Sequence, residues 1–330
     1  MKLHEIGKIG KGGSIMKRLL AFGLAAALLL GGCGAPKTQQ APTQTQQQTD
    51  TATTDTTANQ DGLQVVTSFY PIYILTLNIT DGVEGVSVTN MTQPQTGCLH
   101  DYELTSEDMK TLEGADVFLI NGLGMESFLP DVQKQYPTLF IGDTSKGAYV
   151  LEAEDDHMQD DVPNAHIWLD PQNAIRQTEV IRDTLSQKDP AHATQYAANA
   201  DAFAQSLSGV LEQTQTLRQR PESNVALFHE GFDYLAEICN LDTSAEIYAE
   251  ENQEPSAREM AEAAEDIRED RVQILLCAED NGKKYADTLA AETGARVIVL
   301  DPLTSGEATK DAYRLGMEEN LRILSEALGQ

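Results

Sequence analysis

Asn164-Ala165-His166-Ile167-Trp168-Leu169-Asp170-Pro171 holds the only tryptophan of the chain, a histidine two residues before it and an Asp-Pro pair that closes the segment. An acidic run precedes the stretch and a long helical pattern follows it. A single histidine beside a tryptophan is ordinarily a packed core residue. Here the setting recurs. His100 lies in Cys98-Leu99-His100-Asp101-Tyr102-Glu103, His229 in Leu227-Phe228-His229-Glu230-Gly231-Phe232, and Asp301 in Val299-Leu300-Asp301-Pro302-Leu303. Each falls where a strand pattern runs out into a loop, the place where α/β proteins present ligand groups.

Working outward, strand patterns at 65–69, 86–89, 117–120 and 139–141 alternate with helical patterns at 71–82, 106–112 (Ser106 as a candidate N-cap) and 126–135. Strands alternating with helices argue for a parallel sheet covered on both faces. After Pro171 the pattern changes. A helix is predicted over 173–186, and Asp189-Pro190 interrupts it. The stretch from Ala191 to Arg220 is rich in Ala, Gln and Leu, with Gly209 its single glycine and no proline. It reads either as one helix of about 45 Å or as a helical hairpin broken near Gly209. The alternation then resumes, with strands at 225–228, 274–277 and 297–300 and helices at 232–239, 257–268, 283–293 and 311–328. The predicted fold is therefore α/β: two parallel-sheet α/β lobes joined by one long helix, with the site in the cleft between them. The boundaries read 63–188 for the N-terminal lobe, 189–220 for the linking helix and 221–330 for the C-terminal lobe.

The N-terminus speaks to location. Met16 is a candidate true start, Lys17-Arg18 a short positive region, and Leu19 to Leu30 an apolar run of 12 residues. That is too short for an ordinary transmembrane helix and fits a signal peptide over 1–33. Leu30-Gly31-Gly32-Cys33 resembles a bacterial lipobox, which implies lipidation of Cys33 and attachment to the outer face of the cell membrane. Residues 34–62 are rich in Gln, Thr, Asp and Ala and read as a disordered spacer. Cys98, Cys239 and Cys277 are the other cysteines. A disulfide is permitted outside the cell, and Cys239–Cys277 is the pairing favoured, since both fall in the C-terminal half. Cys98 reads as a small packed side chain, with an accessory ligand as the alternative. The formal net charge of −29, from 23 Lys+Arg against 52 Asp+Glu, excludes phosphate-backbone binding as the main business of the chain. An acidic exterior suits a soluble protein with a cationic ligand.

His100 and His166 come from one half, His229 and Asp301 from the other. Three imidazoles and one carboxylate make a four-coordinate set suited to Zn²⁺, whereas Mn²⁺ prefers more oxygen donors. Each histidine must shed its proton to coordinate, so binding should be tighter at neutral pH than in acid.

From about Val65 to the C-terminus, the chain resembles the metal-binding solute-binding proteins of ABC importers, the cluster A-I (ZnuA-like, TroA-like) family. Six motifs in order carry the resemblance: Thr67-Ser68-Phe69-Tyr70-Pro71, His100-Asp101-Tyr102-Glu103, Asn121-Gly122-Leu123-Gly124-Met125-Glu126, His166 to Pro171, Glu254-Pro255-Ser256 and Asp301-Pro302-Leu303. It implies that His100, His166, His229 and Asp301 bind the metal, that the joining helix is rigid, and that a membrane permease receives the ion. Histidine at the third ligand place goes with zinc in this family and glutamate with manganese. Glu230 stands next to His229, so a shift of one residue would change the metal. Leu99 stands where the family usually has proline before its first histidine. The stretch 152–161 is short and acidic where zinc members often carry a long His-rich loop. It reads equally as a reduced metal-capturing loop, with His157 as an accessory site, or as a solvated acidic loop. A monomer is expected. The rivals are a Mn²⁺ or Fe²⁺ protein of the same fold, a secreted zinc hydrolase and a surface adhesin. The hydrolase is disfavoured because there is no His-Glu-x-x-His and four protein ligands close the site.

Overall fold

The computed structural model describes residues 62–92, 99, 102–153, 162–248, 254–279 and 282–329. The signal peptide, Cys33, nearly all of the spacer, Cys98, His100, His157 and acidic residues 154–161 lie outside the described residues.

Strands β1 (Leu63–Thr67), β2 (Val86–Asn90), β3 (Val117–Ile120) and β4 (Phe140–Asp143) form one sheet in the order β2-β1-β3-β4, parallel throughout. A short antiparallel pair, β5 (Glu152–Ala153) and β6 (Val162–Pro163), flanks the acidic stretch. Strands β7 (Ser223–Leu227), β8 (Leu241–Glu246), β9 (Ile274–Cys277) and β10 (Arg296–Val299) form a second parallel sheet, ordered β8-β7-β9-β10. The two sheets thus share one topology. The central strands β3 and β9 are buried at every position, as parallel strands covered on both faces must be. β8, with the sequence Leu-Asp-Thr-Ser-Ala-Glu, was not predicted. It is an edge strand with exposed positions, so it lacks the apolar run that marks its neighbours.

The helices are α1 (Tyr70–Ile79), α2 (Ser106–Glu113), α3 (Leu129–Gln135), α4 (Pro171–Lys188), α5 (Ala193–Ser206), α6 (Ser208–Arg218), α7 (Phe232–Cys239), α8 (Ala257–Glu269), α9 (Lys283–Thr293) and α10 (Ala312–Leu328). The cap of α2 is Thr105 rather than Ser106. Its hydroxyl accepts from the Asp108 N–H, and Asp108 answers by accepting from the Thr105 N–H. Asp170 caps α4 by accepting from the Gln172 N–H at 2.7 Å, and Pro171 takes the first turn, where its missing N–H costs nothing. α3 starts later than the predicted 126, because the Glu126 carboxylate turns back onto the preceding loop.

The long joining helix is not a hairpin. α5 and α6 meet at Leu207, which accepts from the Leu211 N–H and donates to Phe203 O, so the hydrogen-bond ladder continues across the junction. The irregularity falls at Leu207, not at Gly209. α5 packs on α1 and α4, while α6 packs on α7 and α10. One helical path therefore rides on both halves. Among the described residues, no helix is long and apolar enough to cross a membrane.

The expected Cys239–Cys277 disulfide is not formed. Both are buried free thiols. Cys239 packs in the cluster that contains Leu227 and Leu276, whereas Cys277 packs in the one that contains Ala226 and Leu275. Side chains alternate across a strand, so the two thiols are on opposite faces of the second sheet. Burial pushes the Cys239 thiol up to about 12 and Cys277 up to about 11, which leaves both unreactive near neutrality.

Candidate functional site

In each sheet the strand order reverses beside the first strand. In open α/β sheets ligands bind outside the C-terminal strand ends at such a reversal, here beside β1 and β3 and beside β7 and β9. His229 follows β7 at the second of these. His166 stands just before a 3-10 turn, Ile167–Leu169, that leads into α4. The fold brings the two together. Their rings lie edge to face with centroids 5.2 Å apart, and His166 and His229 are 2% and 6% exposed. Trp168 packs against the His166 ring at 5.1 Å and Phe232 against His229 at 5.0 Å.

Both halves hold the His166 segment. From the first half, Asn121 donates through Nδ2 to Ala165 O at 2.8 Å. The Asn121 side-chain oxygen in turn accepts from Gln177 Nε2 at 3.1 Å. From the second half, Tyr234 Oη donates to Asn164 O at 2.7 Å. Asn164 Nδ2 donates to Glu230 O at 2.9 Å and to Asp233 Oδ2 at 3.0 Å. Close approach here requires a glycine. A Cβ on Gly231 would stand 2.8 Å from Leu169 Cδ1 and 3.1 Å from His166 Cβ.

The two imidazoles differ in their partners. His166 Nδ1 lies 3.0 Å from Asn164 Oδ1 and 3.8 Å from Glu230 Oε2. His229 Nδ1 accepts from the Gly231 N–H at 3.0 Å. Asp301 sits beyond β10 on the same side of its sheet. Asn320 grips its backbone, accepting from Asp301 N at 2.8 Å and donating to Asp301 O at 2.7 Å. The Asp301 carboxylate accepts from the Leu303 N–H at 2.8 Å, and partial desolvation raises its pKa. The loop touches the first half where Pro302 O accepts from Trp168 Nε1 at 2.9 Å. Among the described residues, no three His, Cys, Asp or Glu side chains come close enough together to hold a metal ion. Of the four sequence candidates, His166 and His229 are thus adjacent, Asp301 does not complete a three-residue group with them, and His100 is outside the described residues.

Two carboxyls near these segments are strongly perturbed. Asp233 is pushed up to about 7 by burial and by the charges of Glu246 and Glu230, against hydrogen bonds from Tyr248 and Asn164. Glu126 is fully buried and also raised to about 7 by desolvation, although it accepts from the Asn121 and Gly122 N–H groups at 2.8 and 3.0 Å. Between its ordinary 4.5 and about 7, the folded protein keeps on Glu126 a proton that the unfolded chain has released. Its contribution to stability is therefore complete below about 4.5 and lost as pH rises through about 7, a loss of about 3 kcal/mol in all. Urea melts of wild type and Glu126→Gln at about pH 4.5 and about pH 8 should show wild type losing that amount relative to the variant. A difference that stays constant with pH would remove the assigned shift.

Sequence reading missed Asn164, Asp233, Tyr234 and Asn320 as builders of these segments. Asn164 and Asn320 carried a usable signal, a carboxamide in an apolar setting, because a buried amide is kept only where its hydrogen bonds are met.

The family of ZnuA, zinc-uptake complex component A, periplasmic, matches over residues 65–327. The high-affinity zinc uptake system protein ZnuA of Bacillus subtilis is 28% identical over 285 residues, 81% of this chain and 88% of that protein. The zinc-binding lipoprotein AdcA of Streptococcus pneumoniae is 29% identical over 81% of this chain, which spans only 56% of AdcA. FpvC of Pseudomonas aeruginosa, solved in complex with Mn²⁺, superposes with a TM-score of 0.74 at 23% identity, covering 81% of this chain and 98% of FpvC, a likeness of fold. With two parallel sheets of one topology, a long joining helix and a family match over most of its length, the chain belongs to the ZnuA family, periplasmic metal-binding components of uptake systems rather than enzymes.

Proposed function

We propose that this chain is an extracytoplasmic lipoprotein, anchored through Cys33, that captures Zn²⁺ with high affinity and delivers it to an ABC transporter permease for import. The ligand set is His100, His166, His229 and Asp301, two from each half. The observation that carries the reading is the buried pair His166 and His229, one from each half, with ring centroids 5.2 Å apart. Two imidazoles that meet out of water at a crevice of this fold suit a borderline-soft cation better than a sugar or a peptide. The names of the Bacillus and Streptococcus relatives support zinc as the ion.

Manganese is the second reading. Glu230 Oε2 lies 3.8 Å from His166 Nδ1 and adjoins His229, so an oxygen donor is at hand. The test is elemental analysis of soluble protein lacking Met1 to Cys33, stripped of metal and reloaded in competition between Zn²⁺ and Mn²⁺. One zinc per chain that excess Mn²⁺ does not displace is the expected result. Preference for Mn²⁺ would move the third ligand to Glu230 and the function to manganese uptake. No tight metal at all would discard the ligand set and leave a surface adhesin as the better account.

A further inference from the structure

Asn164 both touches the His166 ring and is gripped from the second half. We propose that Asn164 is a positioning residue that sets the ring tautomer of His166, and that it does so only while the β7–α7 segment holds its amide. The consequence for metal capture rests on His166 being a ligand, as read above. The tautomer itself is a property of the metal-free chain.

A carboxamide has one accepting end and one donating end. Asn164 Oδ1 faces the His166 backbone N–H at 3.0 Å. Its Nδ2 faces two acceptors, Glu230 O at 2.9 Å and Asp233 Oδ2 at 3.0 Å. Flipping the amide would set NH₂ against an N–H and oxygen against two oxygens, so its orientation is fixed by its neighbours. His166 Nδ1 lies 3.0 Å from the same Oδ1. That oxygen carries no hydrogen, so Nδ1 must supply it. In the neutral ring Nε2 is then the nitrogen with the lone pair, the one able to take a metal. A solvated histidine favours the opposite tautomer, with hydrogen on Nε2. Asp233 is itself steadied by Tyr248, whose Oη donates to Oδ1 at 2.9 Å.

His229 supplies an internal contrast. Its Nδ1 accepts from the Gly231 N–H, so in the neutral ring its hydrogen is on Nε2. One histidine of the pair is held in the ligating form, while the other must exchange its proton and open the Gly231 contact before Nε2 can bind. The grip on Asn164 also crosses between the halves, since Glu230 and Asp233 belong to the β7–α7 segment. Withdrawal of that segment would strip both acceptors from Nδ2, release the amide and loosen His166. Affinity is thereby tied to how closely the two halves stand.

The test is the long-range ¹H–¹⁵N correlation spectrum of the metal-free, ¹⁵N-labelled protein at neutral pH. Zinc affinity is measured by chelator competition on the same samples. Wild type should show His166 with hydrogen on Nδ1 and His229 with hydrogen on Nε2. Asn164→Ala and Asp233→Leu should move His166 toward Nε2–H and weaken zinc by about 10- to 100-fold. Asp233→Asn, which keeps an acceptor for Asn164, should restore both readings. His166 found with hydrogen on Nε2 in wild type would overturn the proposal without any variant being needed, as would a tautomer unmoved in folded Asn164→Ala and Asp233→Leu. A tautomer that moves while zinc affinity stays put would instead overturn His166 as a ligand and leave Asn164 as its tautomer-setting partner.

Discussion

Trp168→Ala is expected to lower the unfolding free energy by about 3–5 kcal/mol, the range for removing a buried large aromatic. Trp168 is fully buried. Its ring stands edge-on to Phe69 with centroids 5.2 Å apart at 83°, a favoured aromatic geometry. Its Nε1 donates to Pro302 O, so the substitution also leaves that carbonyl without its donor. The indole thus joins packing in the first half to a backbone bond from the second. Trp168→Phe is the milder change. It keeps one aromatic ring against Phe69 while losing the N–H and part of the indole volume, for a cost of about 1–3 kcal/mol. Since this is the only tryptophan, the denaturation curves need far-UV circular dichroism rather than fluorescence. A loss below about 1 kcal/mol in the alanine variant would show that the segment repacks and that Trp168 does not brace the join.

His166→Ala should weaken zinc by more than about a hundredfold, since loss of a residue that merely supports a ligand already costs 10- to 100-fold. The fold should survive. The His166 backbone N–H keeps Asn164 Oδ1 as its acceptor, and Ala165 O keeps the Asn121 amide. Circular dichroism and calorimetry should find a folded protein with reduced stability, because the lost ring leaves a void beside Trp168 and His229. Zinc held stoichiometrically at unchanged affinity by this variant would sink the proposed ligand set. Affinity that falls alongside a collapse of the fold would make His166 a structural residue first.

The sheet and helix order was legible because β3 and β9 are pure apolar runs and because Asp170-Pro171 and Pro255-Ser256 mark where α4 and α8 begin. β8 was not legible. Its side chains face partly to solvent at a sheet edge, and such a strand has little apolar pattern to read. The late start of α3 was hidden for another reason. The side chain of Glu126 sets that loop by binding two backbone N–H groups, a contact that no periodicity reveals. For the candidate site, the stretch around His166 and the strand end at His229 pointed to residues that do meet in space. The partners that orient them were not readable, since Asn164, Asp233 and Tyr248 converge from 164, 233 and 248 through the folding of two separate segments. The Cys239–Cys277 expectation failed because sequence distance says nothing about which face of a sheet a residue occupies.

The bond from Trp168 Nε1 to Pro302 O joins residues 134 apart, and that from Tyr313 Oη to Trp168 O joins residues 145 apart. At ribosomal rates of about 5–20 residues per second, the indole waits roughly 7 to 27 s after its own synthesis before its acceptor exists. Through that interval the first sheet is complete in sequence, while the surface around Trp168 lacks the strap that covers it. A nascent chain of this kind exposes an apolar, half-built face for longer than most local elements take to form. The molecule therefore depends on its last 31 residues to finish its first half, and a truncation after Val299 would leave an aggregation-prone first half as well as a shorter protein.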